Sequence, residues 1–232
     1  MKIMTGIILL SILAFVSCSG AAVSESTGEL TSGGYIILPE PMFAGDMSVE
    51  RALAERRSRR DFQERALYKE QLSQLLWAAY GVTEPMRGLR TSPSAGATYP
   101  LEIYAVVGNV HGLEPGVYRY ISDGHKLELV VSGDVRAELM EAAVGQRMVG
   151  DAPVTIFYSA VFERTTDIYG ERGVKYVYME IGHSAQNIYL QAEAMGLGTC
   201  AIGAFIDADV RRILNLPDDE EPLYMMPVGY IN

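Results

Sequence analysis

Val154-Thr155-Ile156-Phe157-Tyr158-Ser159-Ala160-Val161-Phe162, entered through Pro153, decides the architecture of this chain. The run is apolar, β-branched or aromatic at nearly every position and lacks a two-residue alternation, which is the pattern of a strand covered on both faces. A central strand needs neighbours, and the flanking sequence supplies them. Leu101 to Val107, bounded by Pro100 and Gly108, reads as a strand, and Gly116 to Tyr120 with Lys126 to Val131 reads as a hairpin. Met225 to Tyr230 reads as a closing strand. Layers that cover both faces are equally visible. Ser48 caps a helix through Arg57, Lys69 to Tyr80 places Leu72, Leu75, Leu76 and Ala79 on one face before Gly81, and Asp134 to Val144 has helical spacing. In the longest helical pattern, Lys175 to Met195, Tyr178, Ile181, Ala185, Ile188, Ala192 and Met195 recur every three or four residues until Gly196 and Gly198 end it. No repeat of 20 to 50 residues interrupts this order, so the class is α+β or α/β with a single sheet.

With 232 residues, 49% of them hydrophobic and 21% charged, the chain suits one globular domain. Its net charge of -10 gives no general attraction to nucleic acid or to anionic lipid headgroups, so a nucleic-acid role is excluded. Two cysteines, Cys18 and Cys200, make neither a disulfide scaffold nor a metal or redox spacing. Lys2 and the apolar run Ile7 to Val16, too short to span a bilayer comfortably, fit a secretory signal over residues 1–17. Phe15-Val16-Ser17-Cys18-Ser19-Gly20 resembles a bacterial lipoprotein cleavage site with Cys18 as the acylated N-terminus. Phe15 stands where leucine is usual, and an ordinary cut near Ala21 or Ala22 is the alternative. Both export the protein, and the first would anchor it to a membrane through lipid alone. Residues 18–47 then read as a tether, and the domain as 48–232.

Three segments carry chemistry. Arg56-Arg57-Ser58-Arg59-Arg60 concentrates four guanidinium groups and a hydroxyl in an acidic chain, the donor set for a phosphate monoester, or alternatively a solvated basic helix end. Pro93-Ser94-Ala95-Gly96-Ala97-Thr98-Tyr99-Pro100 is a loop of small and hydroxylated residues that would let a flat ligand approach the backbone, though a structural turn has the same composition. Gly196-Leu197-Gly198-Thr199-Cys200-Ala201-Ile202-Gly203-Ala204 lacks the dinucleotide-binding glycine spacing, and Cys200 in it reads as a small buried hydrophobe.

Together with Glu180-Ile181-Gly182-His183-Ser184-Ala185-Gln186-Asn187 on the long helix, these segments resemble the nitroreductase family of FMN enzymes, in particular its SagB-type dehydrogenase branch. The resemblance implies a central mixed sheet flanked by helices, a homodimer, FMN as cofactor, no metal, and hydride transfer through flavin N5 to or from a small organic substrate. By position it implies that Arg56 and Ser58, with Arg57 as accessory, contact the FMN phosphate. Arg60 would lie beside the pyrimidine edge, where a cation stabilises the negative charge left by two-electron reduction. It further implies that Pro93, Ser94, Ala95 and Gly96 lie against the isoalloxazine of a partner subunit, and that Gly203 and Ala204 form the turn facing N5. Azoline-oxidising relatives use a Lys-Tyr pair before a glycine, where this chain has Ile168-Tyr169-Gly170. Tyr169 is therefore a candidate proton donor or a packing aromatic, and His183 and Gln186 read first as helix packing. Many relatives place basic phosphate contacts after the last strand, and here Asn232 follows soon after Tyr230. The competing readings are an exported flavin- or ligand-binding lipoprotein without turnover, and an azoline-type peptide dehydrogenase.

Overall fold

The computed structural model describes residues 34–232, so the signal segment 1–17 and Cys18 lie outside the described residues. Seven strands form one sheet: β1 Tyr35–Ile37, β2 Leu101–Val107, β3 Gly116–Ile121, β4 Lys126–Ser132, β5 Val154–Ala160, β6 Leu197–Thr199 and β7 Glu221–Tyr230. Their order across the sheet is β1-β4-β3-β2-β5-β7-β6. The expected mixed sheet is antiparallel in every one of these pairings, because its strands are joined by hairpins or by helices that return the chain in the opposite sense. Among the described residues, parallel pairing is confined to Leu67–Tyr68 with Val110–His111 and to a bridge between Ser58 and Thr199 at the edge beyond β6.

β5 occupies the place its composition demands, between β2 and β7, with all seven residues buried. Its two faces feed two cores. Ile156, Tyr158 and Ala160 pack with helices α2 Lys69–Tyr80 and α6 Arg172–Ala194, through Leu72, Leu75, Leu76, Val177 and Ile188. Phe157 points the other way, to Leu139 of α3 Arg136–Ala142, Val149 of α4 Arg147–Asp151, and Val210 and Leu214 of α7 Asp207–Leu214. At about 1.5–3 kcal/mol for each large apolar side chain removed from water, these layers dominate the stability of the sheet. The 23 residues of α6 run about 34 Å along it.

Helix α1, Val49–Glu55, starts where Ser48 Oγ accepts the Arg51 N–H at 3.2 Å and ends two residues short of Arg57. Helices α4, α5 (Glu163–Tyr169) and α7 carry too few apolar residues to be seen by periodicity. The boundary at Ser48 is corrected upstream: Tyr35–Ile37 forms an edge strand on β4, and Ile36 and Leu38 enter the core. Residues 35–47 are thus not a free tether.

This edge is stapled by His125, in the turn between β3 and β4. Its carbonyl accepts the Leu38 N–H at 3.1 Å, its Nε2 lies 2.6 Å from Ser73 Oγ and 3.1 Å from the Pro39 carbonyl, and its Nδ1 lies 2.8 Å from the Tyr120 hydroxyl. The neutral imidazole protonated at Nε2 satisfies every partner, donating towards Ser73 and Pro39 and accepting from Tyr120. Burial holds the His125 pKa below its ordinary 6.5, against the Pro39 carbonyl and the charge of Glu40, which favour the proton. The folded state therefore prefers neutral histidine, while the unfolded chain takes a proton near 6.5. Stability is complete above that pH and declines as pH falls through 6.5 towards the folded value. Melting curves from pH 8 to 5 should lose this acid-sensitive component in His125→Asn; the same slope in wild type and variant would refute the staple.

Candidate active site

The arginine segment leaves α1 and docks on the sheet edge. Ser58 bridges Thr199, and Arg59 N–H donates to the Thr199 carbonyl at 2.8 Å. Tyr189, from α6, ties the segment to the following turn. Its hydroxyl lies 3.0 Å from Ser58 Oγ and accepts the Ala201 N–H at 2.8 Å, and its ring carries the Arg56 guanidinium 5.3 Å from the centroid. Gly198 is required at this junction, because a Cβ there would stand 2.3 Å from Ile231 and 2.6 Å from Arg59. Sequence segments 140 residues apart are thus joined at one edge. Arg57, exposed, keeps the helix-end role as well, its Nη1 donating to the Ala54 and Arg56 carbonyls at 3.0 and 2.8 Å.

The loop 93–99 is assembled elsewhere. Ser94 Oγ accepts the Tyr99 N–H at 2.9 Å, Thr98 and Thr165 hydroxyls meet at 2.8 Å, and Arg164 of α5 donates to the Tyr99 carbonyl at 3.1 Å. Gly96, Ala97 and Tyr99 are left-handed, with φ of 60°, 54° and 47°. That conformation costs about 1–3 kcal/mol at each non-glycine position. Gly96 also lies against Tyr169, whose hydroxyl would have to move for a Cβ, which would stand 2.7 Å from it. Tyr169 itself is 37% exposed and packs edge-on against Tyr176 at 5.1 Å. A recess between loop and helix is lined by Pro93, Ser94, Ala95, Tyr176, Glu180 and His183.

Glu180, on the loop side of α6, and Tyr189, on the arginine side, are nine residues apart. At roughly 100° per residue they project to opposite flanks of the helix. The loop and the arginine segment thus meet opposite flanks of α6, and among the described residues no hydrogen bond, ion pair or ring contact joins them.

The arginine segment suits an anion. Among the described residues Arg56, Arg57, Arg59 and Arg60 form no ion pair with an acid, and Arg59 Nε is buried without a hydrogen-bond partner. Gly203 and Ala204 are exposed, with Gln146 Nε2 holding the Ala204 carbonyl at 3.0 Å. The space around Gly203 is open, with nothing within 4 Å of where its Cβ would be. Guanidiniums free of acids, one with a buried unpartnered Nε, are the donor set that a phosphate-bearing cofactor needs.

The nitroreductase family model matches residues 53–230. The chain belongs to the nitroreductase family. A relative named as a nitroreductase in Methanocaldococcus jannaschii is 48% identical over 184 residues, which cover 79% of this chain and 91% of the relative. A solved nitroreductase from Ralstonia eutropha superposes with a TM-score of 0.75 at 31% identity, over 86% of this chain and 90% of that one. The microcin B17-processing protein McbC of Escherichia coli is 27% identical over 167 residues, 69% of this chain and 61% of McbC. The nitroreductase fold, membership in a family of flavin-dependent oxidoreductases and the SagB-type likeness are thereby established.

Of the sequence-derived residues, Arg56, Arg57, Ser58 and Arg60 lie on the segment docked at the Thr199 edge, Pro93, Ser94, Ala95, Gly96 and Tyr169 lie together at the loop, and Gly203 and Ala204 lie exposed in the turn after β6. Cys200 is fully buried and its thiol is pushed up by burial, with Arg60 opposing, as befits a small hydrophobe. His183 departs from the packing reading, since its side chain is exposed at the recess. Three residues escaped sequence reasoning. Arg59 was hidden among its basic neighbours, Tyr189 looked like one more aromatic on an amphipathic helix, and Glu180 sat in a quoted motif with no partner in view.

Proposed function

We propose that this nitroreductase-family chain is an FMN-dependent oxidoreductase that passes a hydride to or from a small organic substrate. The observation that carries the reading is the set of unpaired arginines docked on the Gly198–Gly203 turn, at the edge of a nitroreductase fold. Arg56 and Ser58 would hold the FMN phosphate with Arg57 close by, since guanidinium and hydroxyl donors engage several phosphate oxygens at once. Arg60 would stand at the pyrimidine edge and Gly203 with Ala204 at N5. Bound there, FMN would supply two-electron hydride chemistry. Pro93 to Gly96 would come from the second copy of a homodimer, which would bring a loop to each arginine segment. Arg60 would stabilise developing negative charge, and Tyr169 would donate a proton from beside Gly96.

McbC similarity supports a second reading, oxidation of a peptide azoline. Ile168 opposes it: where the resemblance implies a lysine, isoleucine can neither take nor give a proton, and such help contributes about 10²- to 10⁴-fold. Anaerobic FMN-loaded protein, reduced chemically and mixed with a quinone or a nitroaromatic, or left oxidised and mixed with an azoline peptide, decides between them. Reoxidation by quinone or nitroaromatic is expected to outpace the azoline peptide's oxidation by the oxidised protein by at least about 10²-fold, and Tyr169→Phe to slow the former about tenfold or more. Comparable azoline turnover would overturn the assignment, and an unchanged Tyr169→Phe rate would remove Tyr169 from it. The apolar segment ending at Cys18 supports export with lipid attachment there; incorporation of labelled fatty acid into wild type but not Cys18→Ser tests it.

A further inference from the structure

Tyr99 stands at a strained corner, and three elements hold it. Its φ of 47° is left-handed, although a residue before proline, here Pro100, is driven to extended backbone. Such a conformation persists only where its surroundings over-determine it. The Tyr99 N–H donates to Ser94 Oγ at 2.9 Å, its ring centroid lies 4.4 Å from the Arg90 guanidinium, and its carbonyl accepts Arg164 Nη1 at 3.1 Å. Arg164 does more than the other two. Its Nη2 also binds Glu102 Oε1 of β2 at 2.7 Å, so one planar fork joins the loop backbone to the sheet. It does so from the first turn of α5, whose other contacts run back along the loop. Thr165 Oγ1 lies 2.8 Å from Thr98 Oγ1, and the Tyr169 hydroxyl lies against Gly96. Residues 164, 165 and 169 project within roughly 140° of one another, so a single flank of α5 follows residues 99, 98 and 96.

We propose that Arg164 is a positioning residue that sets where Tyr169 stands relative to loop 93–99, by fastening α5 to the Tyr99 carbonyl and to Glu102 at once. Arg119 of β3 also binds Glu102, at 2.8 Å, so the carboxylate is already fixed on the sheet where Arg164 engages it. A guanidinium suits this task because its planar fork addresses two acceptors in fixed directions, whereas an ammonium is a point charge on a flexible stem. Without the fork, the carbonyl of strained Tyr99 loses its charged donor and α5 its tie to the sheet. The consequence for turnover rests on the reading above, in which the loop and Tyr169 of one copy face the flavin of the other.

Amide hydrogen exchange on the cofactor-free full chain tests the fastening directly. The amides of Ala97, Thr98 and Tyr99 are hydrogen-bonded inside the loop and report its order. Their exchange is expected to be about tenfold faster in Arg164→Met, the loss of one charge-assisted hydrogen bond from a side chain that is 40% exposed. Arg164→Lys, which keeps the charge, should stay within about threefold of wild type, and amides of β5 should keep their protection in both. Wild-type exchange of residues 97–99 in Arg164→Met would overturn the proposal, as would an equal acceleration in β5, the mark of general loosening. The route through Tyr169 is read from reoxidation of chemically reduced, FMN-loaded protein by a quinone. Arg164→Met is expected to slow it about threefold or more in the wild-type background and to add nothing in Tyr169→Phe, because residues that act through one another are not additive. No slowing, or the same slowing in both backgrounds, would overturn that route. A wild type that binds no FMN would sink the proposed function instead, and exchange at residues 97–99 would still decide the role of Arg164.

Discussion

Replacing Arg56 and Ser58 together with alanine is expected to weaken FMN binding about 100-fold or more, measured by calorimetric titration, while melting is barely changed. Hydrogen bonds to a charged group contribute about 1.5–3 kcal/mol each. Arg56 is half-buried and Ser58 exposed, so the lower end of that range applies to both, and about 3 kcal/mol corresponds to about two decades in affinity. Stability should hold because neither side chain packs in a core, and Tyr189 keeps the Ala201 N–H when Ser58 Oγ is lost. Arg56→Lys separates charge from geometry. An ammonium retains the charge but not the planar fork, so an intermediate loss is expected if phosphate is held bidentately. Unchanged affinity in the double variant would remove both residues from the phosphate site and leave Arg57, Arg59 and Arg60 to account for it. The buried, unpartnered Nε of Arg59 makes that residue the next to replace.

Long elements were legible in the sequence because their signal is repeated. Val154 to Ala160 announced a central strand through unbroken apolarity, and Lys69 to Tyr80 announced its helix through four apolar positions on one face before Gly81. Short elements were not. Asp207–Leu214 contributes only Val210, Ile213 and Leu214 to the second core, and Tyr35–Ile37 is a strand because β4 has a free edge, which nothing in three residues can reveal. The same limit governs the site. Arg56 to Arg60 stood out by charge density, whereas the separation of loop and arginine segment depends on the phase of α6 at Glu180 and Tyr189, and the strain at Ala97 and Tyr99 depends on backbone angles. Glu180 is the clearest case. A glutamate on an amphipathic helix reads as solvated until it is seen buried against the Tyr80 hydroxyl.

A second buried carboxylate supports the site from behind. Glu220 is 2% exposed and accepts the Tyr104 hydroxyl at 2.9 Å and the Ser159 hydroxyl at 2.5 Å, with Arg119 Nη2 at 3.9 Å. Arg119 is bound more closely to Glu102 at 2.8 Å, and Glu102 also holds Arg164 of α5 at 2.7 Å. Three strands and the helix bearing Tyr169 thus share one network. Removing one partner from a buried charged network costs about 3–5 kcal/mol, because the remaining polar groups stay buried without an acceptor. In a domain of this size about 2–4 °C of melting temperature accompanies each kcal/mol, so Glu220→Ala should melt about 10 °C lower. Glu220→Gln should lose far less, since it keeps an acceptor oxygen and sheds the charge. Burial raises the Glu220 pKa above its ordinary 4.5, assisted by Glu102 and opposed by Ser159, Tyr104 and Arg119. The folded state therefore holds its proton to higher pH than the unfolded chain. The associated stability is complete below 4.5 and is lost as pH rises through the folded value. Glutamine resembles the protonated acid and suffers no such loss, so the melting temperature of Glu220→Gln relative to wild type should climb with pH across that window. A difference that stays flat with pH, or a Glu220→Ala variant melting within a degree of wild type, would show that Arg119 and the two hydroxyls find other acceptors.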